Sequence, residues 1–199
     1  MWKSADSNDT DFLIRPDELA RRLLREVRGR NLDPNKDSLW TDAVMESLNK
    51  IAVDVRKPPR NLSKDQLQTL HTSTRTGVHE FLLDYMWWYH DPDTGKQSCA
   101  LAVESEWGDV QAVEDDFEKL LAFKSPIKMM IFSSHWRKTG DDLVGRIEEC
   151  LRFYGRHEKG EVYLLVDFRE DAKSELIKRF DIPNDLVVND IELIDVSTS

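Results

Sequence analysis

The sequence predicts a mixed α/β fold in which a central β-sheet is flanked by helices. Three observations lead to this prediction. Two stretches with helical spacing of apolar residues come first, a strand–turn–strand signal follows, and helical and strand-like segments then alternate towards the C-terminus. Because a hairpin pairs antiparallel strands and α/β crossovers pair parallel ones, we expect a mixed sheet with helices on both faces.

The N-terminal part predicts a leader and two helices. Residues 1–15 are polar and are expected to form a flexible leader. RPDELARRLLREVRGR predicts a basic amphipathic helix, because its leucines and valine form one stripe that arginines surround. LWTDAVMESLNKIAVDVR predicts a second helix, which the prolines of KPPRNLSKDQ end. We therefore divide the chain into residues 1–37, leader and basic helix, and residues 38–199, the α/β domain.

The second half predicts the sheet and its crossovers. The turn signal DPDTGK separates two expected strands, VHEFLLDYMWWYH and SCALAVESEW. DVQAVEDDFEKLLAFK predicts a helix with Asp109 as its N-cap. IKMMIFSS and EVYLLVDF are short apolar runs, typical of strands covered on both faces, and TGDDLVGRIEECLRFYG predicts a helix between them. DLVVNDIELIDV predicts a last strand or a pair of short ones.

Composition limits the classes of function. The 199 residues carry a net charge of −10, which counts against broad, non-specific nucleic-acid binding but leaves room for a local basic surface. No apolar run approaches the roughly 20 residues of a membrane span, and no secretory signal is visible. The two cysteines, Cys99 and Cys150, indicate neither a disulfide framework nor a zinc site, so a reducing cytoplasm is the expected location.

Acidic residues interrupt the strands that should be buried. Glu104 and Glu106, in CALAVESEWG, lie two positions apart and therefore on one face of the expected strand. Asp84 interrupts the apolar run FLLDYMWW, so we expect it in mid-strand. If the turn is centred near residues 93 and 94, antiparallel pairing places Asp84 opposite Glu104. Burying unpaired carboxylates costs several kcal/mol, so we expect something to neutralise these acids.

A divalent cation is the expected neutralising group. Three carboxylates that converge on one point form a hard-oxygen site suited to Mg²⁺ or Mn²⁺. Such a cation can polarise a phosphoryl oxygen and acidify a bound water, whose proton a third carboxylate could take. The alternative, that these are ordinary ion-paired or partly exposed acids, remains open at this point.

With these features, residues 38–170 resemble the restriction-endonuclease-like superfamily of PD-(D/E)xK nucleases. Its core has a helix, a β-hairpin that bears the motif, another helix and further strands. Asp84 matches the family's Asp, and Glu104-Ser105-Glu106 matches its (D/E)-x-K. The resemblance implies metal-dependent hydrolysis of phosphodiester bonds in nucleic acid, with Asp84, Glu104 and the Ser105 carbonyl as metal ligands. It also implies a restriction-endonuclease-like core with an N-terminal helical extension.

The sequence departs from the family pattern at two positions. Leu83 stands in place of the proline, and Glu106 in place of the lysine. In other members the lysine comes from the following helix, where Lys119 and Lys124 are the candidates. Lys124 is in phase with the apolar stripe and is expected to point towards the sheet, whereas Lys119 is nearer but out of phase. The family's first helix often supplies a glutamate, for which Glu46 is available.

These residues define the expected catalytic set, which comprises Asp84, Glu104, Glu106, Glu46, Lys119 and Lys124. Nucleic acid is the expected partner, no membrane partner is expected, and a homodimer is left open. The missing lysine and the acidic charge favour a second hypothesis. In that hypothesis the chain is a non-catalytic descendant of the fold that acts as a binding or regulatory subunit.

Overall fold

A computed structural model describes residues 14–33, 36–55, 67–71, 83–90, 95–133, 140–168, 176–182 and 192–195. The helices in these ranges are α1 (Pro16–Arg28), α2 (Asp37–Asp54), α3 (Val110–Ala122) and α4 (Gly140–Phe153). The strands are β1 (Leu67–His71), β2 (Tyr85–His90), β3 (Gln97–Glu106), β4 (Ile127–Phe132), β5 (Val162–Asp167), β6 (Leu176–Asp181) and β7 (Glu192–Asp195). None of these helices is both long and apolar enough to cross a membrane.

The strands form one mixed sheet, as the sequence predicts. Within the described residues it has seven strands, which lie side by side in chain order from β1 to β7. The three central strands, β3 to β5, are parallel, and every other pair is antiparallel. Helices α3 and α4 make the two crossovers that parallel pairing requires. The strands β3, β4 and β5 therefore end at the same edge of the sheet.

Helices cover both faces of this sheet. Helices α1 and α2 pack with Tyr85, Leu101 and Val103 in one hydrophobic core. Helices α3 and α4 pack with Met86 and Ala102 in the other. Neighbouring residues in β2 and β3 thus point to opposite faces, as strand geometry requires. Because both of its faces are covered, β3 is buried along most of its length.

The N-terminal helix belongs to the first of these cores. Leu19, Leu23 and Val27 of α1 are buried, and Ile14 just before the helix is also buried. Arg179 of β6 donates a hydrogen bond to Asp17 over 3.4 Å, which ties α1 to the sheet. The expected flexible leader otherwise falls on residues 1–13, which lie outside the described residues.

Two strands were not predicted from the sequence. Strand β1 pairs with β2, and β6 pairs with both β5 and β7. The sequence of β6, LIKRFD, has two adjacent cations in its middle, which hides the alternation of apolar residues that marks a strand. At the predicted hairpin turn, Gly95 has a φ of 67°, a conformation that glycine adopts readily.

Asp84 does not lie in mid-strand, so that expectation is wrong. It forms a bend directly before β2, whose first pair with β3 joins Tyr85 to Val103. One more antiparallel step beyond this pair brings residue 84 beside residue 104. The expected juxtaposition of Asp84 and Glu104 is therefore confirmed, although Asp84 lies just before β2, at the end of the hairpin away from the turn.

Candidate functional site

Two reciprocal hydrogen bonds hold Asp84 against β3. The Ser105 N–H donates to Asp84 Oδ2 over 3.0 Å, and the Asp84 N–H donates to Glu104 Oε2 over 3.3 Å. Glu104 is 1% exposed, because it lies in a central strand beneath α3. The sequence thus builds a carboxyl pair at the C-terminal end of β3, where the covered sheet would otherwise carry apolar side chains.

Of these two acids, Glu104 has the pKa that departs further from its ordinary value. Burial is the largest cause, and the charges of Asp84 and Asp116 add to it, so that the pKa of Glu104 is raised to about 9. Glu104 therefore holds a proton at neutral pH. Burial also raises the pKa of Asp84, although its hydrogen bonds to the Ser105 N–H and to Glu104 work against this.

One oxygen of Glu104 has no hydrogen-bond donor among the described residues. This atom, Oε1, is buried, and the ammonium of Lys119 lies 3.6 Å from it, beyond hydrogen-bonding distance. A buried polar atom without a partner is rare in native proteins and is destabilising. Water, an ion or a catalytic role commonly accounts for such an atom.

Lys119 is the candidate lysine that the structure brings to the pair. Its ammonium lies 2.6 Å from Asp116 Oδ1, one helical turn earlier on α3. Burial works to lower the pKa of Lys119, but the hydrogen bond to Asp116 and the charges of Glu104, Asp116 and Asp84 more than offset it, so the pKa is raised. The ammonium of Lys119 lies 3.6 Å from Glu104 although the helical phase of Lys119 lies off the apolar stripe, because a lysine side chain is long and flexible.

Asp116 is a site residue that the sequence reading missed. Its charge also acts on Asp84, Glu104 and Glu106, which places it within electrostatic reach of all three acids. The spacing of three residues between Asp116 and Lys119 is a helical ion-pair signal that could have identified it. The sequence does not distinguish Asp116 from the other acids of VEDDFEK, because most acids on a typical surface helix face solvent.

Glu106 is engaged by the turn that follows β3. Its Oε1 accepts a hydrogen bond from the Gly108 N–H in the turn that leads into α3. A Cβ atom at position 108 would collide with this carboxylate, which would then have to shift. Burial raises the pKa of Glu106, and the Gly108 N–H works against this shift. Asp109 then caps α3 by accepting from the Ala112 N–H over 3.0 Å, as predicted.

Lys124 and Glu46 do not reach the site. The side chain of Lys124 is 84% exposed and pairs with Glu158 over 2.7 Å, so the expectation that it points towards the sheet is wrong. Helix α3 ends at Ala122, and the helical phase assumed for Lys124 does not continue beyond that residue. Glu46 is exposed on α2 and pairs with Arg30 of α1, on the other face of the sheet.

The predicted convergence of three carboxylates is not present. Among the described residues, no three His, Cys, Asp or Glu side chains form a group that could hold a metal ion. A separate backbone N–H group engages each of Asp84, Glu104 and Glu106. The structure therefore offers one pair of adjacent carboxyl groups with a nearby ammonium, and a third acid held in the following turn.

A further buried acid lies at the same edge of the sheet. Glu106 pairs with Phe132 of β4, and Phe132 pairs with Asp167 at the end of β5. Asp167 is 0% exposed, and the carboxyl ends of parallel strands are where sites gather in α/β proteins. No sequence signal points to this residue, because Asp167 closes an apolar run that predicts only a central strand.

Comparison with family models and with curated proteins adds no relative. No protein-family model matches the chain, and no curated protein matches it significantly.

Proposed function

We propose that this chain is a metal-dependent nuclease with a restriction-endonuclease-like core, which hydrolyses phosphodiester bonds of nucleic acid. One observation carries the proposal. Glu104 is a buried carboxyl group in a central strand, adjacent to Asp84, with one oxygen that no described donor satisfies. Such an arrangement destabilises the fold and is typical of functional sites. The order of helix, motif-bearing hairpin, helix and parallel strand agrees with the same proposal.

The donor set fits a hard divalent cation. Mg²⁺ in phosphate-handling sites usually takes one or two carboxylates together with water and substrate oxygens, so a third carboxylate is not required. Asp84, Glu104 and the Ser105 carbonyl would hold Mg²⁺ or Mn²⁺, and the Glu104 oxygen without a donor supports this choice. When bound, the cation would polarise a phosphoryl oxygen and lower the pKa of a coordinated water.

Two other residues contribute to the proposed reaction. Lys119 would contact an oxygen of the phosphate and stabilise the negative charge that develops there, because its ammonium is the cation nearest to Glu104 among the described contacts. Glu106 takes a supporting part, since its bond to the Gly108 N–H fixes the turn after β3. Glu46 and Lys124 have no part in this proposal.

Metal binding and cleavage test the proposal together. Millimolar Mn²⁺ or Mg²⁺ should raise the melting temperature, because the bound cation adds about 2.7 kcal/mol of stability at 100-fold excess over Kd, and should support cleavage of plasmid or single-stranded DNA. Asp84→Asn and Glu104→Gln should each abolish both effects. Glu118→Gln, a change at an exposed position of α3, is the matched control and should behave like the parent.

If neither cation changes the melting temperature and neither DNA is cleaved, the nuclease proposal is contradicted. The second candidate function, a non-catalytic subunit that binds nucleic acid, would then be favoured. Two observations support that candidate: Glu106 occupies the lysine position of the motif, and no described group of three acids could hold a metal. It predicts that labelled DNA binds equally well in EDTA and in Mn²⁺, measured by fluorescence anisotropy.

A further inference from the structure

Lys119 has two aspartates at helical ion-pair spacing, and only one of them engages it. Asp115, four residues earlier, is exposed and accepts a hydrogen bond from Gln111 Nε2 over 2.8 Å. Asp116, three residues earlier, has a side chain that is 15% exposed and lies 2.6 Å from the Lys119 ammonium. The helix thus places Asp115 towards solvent and Asp116 towards the carboxyl pair.

The ammonium of Lys119 stays at the site only if a neighbouring group holds it there. A lysine side chain is long and flexible, and that of Lys119 is 37% exposed, so it has room to extend into water. Glu104 does not hold it, because their closest atoms are 3.6 Å apart, beyond hydrogen-bonding distance. Asp116 makes the shorter contact with Lys119, and this contact directs the ammonium towards Glu104.

We propose that Asp116 is a positioning residue, which holds the Lys119 ammonium over the Asp84–Glu104 pair. There Lys119 takes the place of the lysine that the motif lacks at position 106 and contacts the phosphate to be cleaved. The inference rests on the proposed nuclease function and adds Asp116 to it. Asp116 acts through Lys119 and does not bind the metal.

Single and double variants test this role in the full-length chain with plasmid DNA and Mn²⁺. Asp116→Asn should lower kcat by up to roughly 100-fold with little change in KM, since a misplaced group affects the transition state more than binding. Asp116→Glu, which keeps the charge, should restore most of the rate. Asp115→Asn is the matched control and should leave kcat unchanged. In a Lys119→Gln chain, adding Asp116→Asn should cause no further loss.

A second measurement separates positioning from metal binding. The rise in melting temperature with Mn²⁺ should survive in Asp116→Asn, and melting without metal confirms that each variant is folded. Loss of the Mn²⁺ effect would make Asp116 a metal ligand and overturn the inference. Equal rates for Asp116→Asn and Asp115→Asn, or additive losses with Lys119→Gln, would also overturn it while the nuclease function stands. A parent chain that cleaves no DNA would remove the nuclease function and this inference together.

Discussion

At the scale of single residues, Glu104 shows how a fold can keep a carboxyl group neutral. Burial removes the water that would solvate the anion, and the charges of Asp84 and Asp116 disfavour a further negative charge nearby. Lys119 compensates only in part, because it is already engaged by Asp116. The proton on Glu104 is therefore a consequence of tertiary structure, since the same residue in an unfolded chain would titrate like any glutamate.

This shift predicts that the metal-free chain loses stability as pH rises. The pKa of Glu104 is about 9 in the folded chain, against 4.5 for a glutamate that water fully solvates, so the folded state binds more protons between these values. The free energy of unfolding must then fall as pH rises from about 5 to 9. Glu104→Gln, which stays neutral, should flatten this decline when melting is followed in EDTA. The exposed control Glu118→Gln should decline like the parent. If stability of Glu104→Gln declines as steeply as that of the parent and of this control, the prediction is contradicted.

At the scale of the elements, helices α1 and α2 form an antiparallel pair on the face opposite to α3. Arg22 of α1 donates to Asp54 over 2.9 Å, and Lys50 of α2 donates to Glu26 over 2.6 Å. Only the first pair takes up an arginine of the basic helix that the sequence predicts, because α1 supplies the acid of the second pair. Arg25 remains exposed beside Arg22 and Arg30 in a shallow surface cleft. A local basic surface therefore exists on an acidic chain, but it is smaller than the count of arginines suggests.

If α1 contacts the phosphates of nucleic acid, Arg25 is the residue that should show it. Arg25→Glu should weaken DNA binding and reduce the slope of log K against log salt by about 1, since one phosphate contact is lost. Arg152→Glu, an equal change at an exposed position of α4, is the control. Fluorescence anisotropy over a series of NaCl concentrations gives both slopes. Identical slopes for the two variants would assign α1 to packing alone.

At the scale of the whole molecule, a buried polar network lies at the edge of the sheet opposite to the site. The Lys128 ammonium donates to Glu161 Oε1 over 2.8 Å and to the Tyr163 hydroxyl over 2.9 Å. His157 Nε2 lies 2.8 Å from the Leu151 carbonyl of α4, and its Nδ1 lies 3.2 Å from the same hydroxyl. The network therefore joins β4, β5 and the end of α4.

Breaking this network should destabilise the entire fold. Lys128→Met leaves Glu161 as a buried anion without its cation, and such a loss costs about 3–5 kcal/mol in proteins. Lys124→Met is the matched control, because Lys124 forms an exposed pair with Glu158 and such pairs contribute little to stability. Urea unfolding measures both changes. If Lys128→Met lowers the free energy of unfolding by less than about 1 kcal/mol, then water or a structural rearrangement compensates for the lost ammonium beside Glu161.

Features that depend on neighbours along the chain could be read from the sequence. The periodicity of apolar residues identified α1 to α4 and the central strands, and the turn chemistry around Gly95 fixed the hairpin that pairs Asp84 with Glu104. Strands β1 and β6 were missed because short, polar or charged segments become strands only through pairing with a neighbour.

By itself, the sequence determined a mixed α/β fold and the meeting of two acids on one hairpin, since both follow from local spacing. Tertiary structure alone decided which further residues join them. It ended α3 before Lys124, turned Glu106 to the Gly108 N–H and brought Asp116 and Lys119 to Glu104. The physical reason is that a side chain's surroundings depend on how a crossover helix packs on the sheet, and spacing along the chain does not specify that packing.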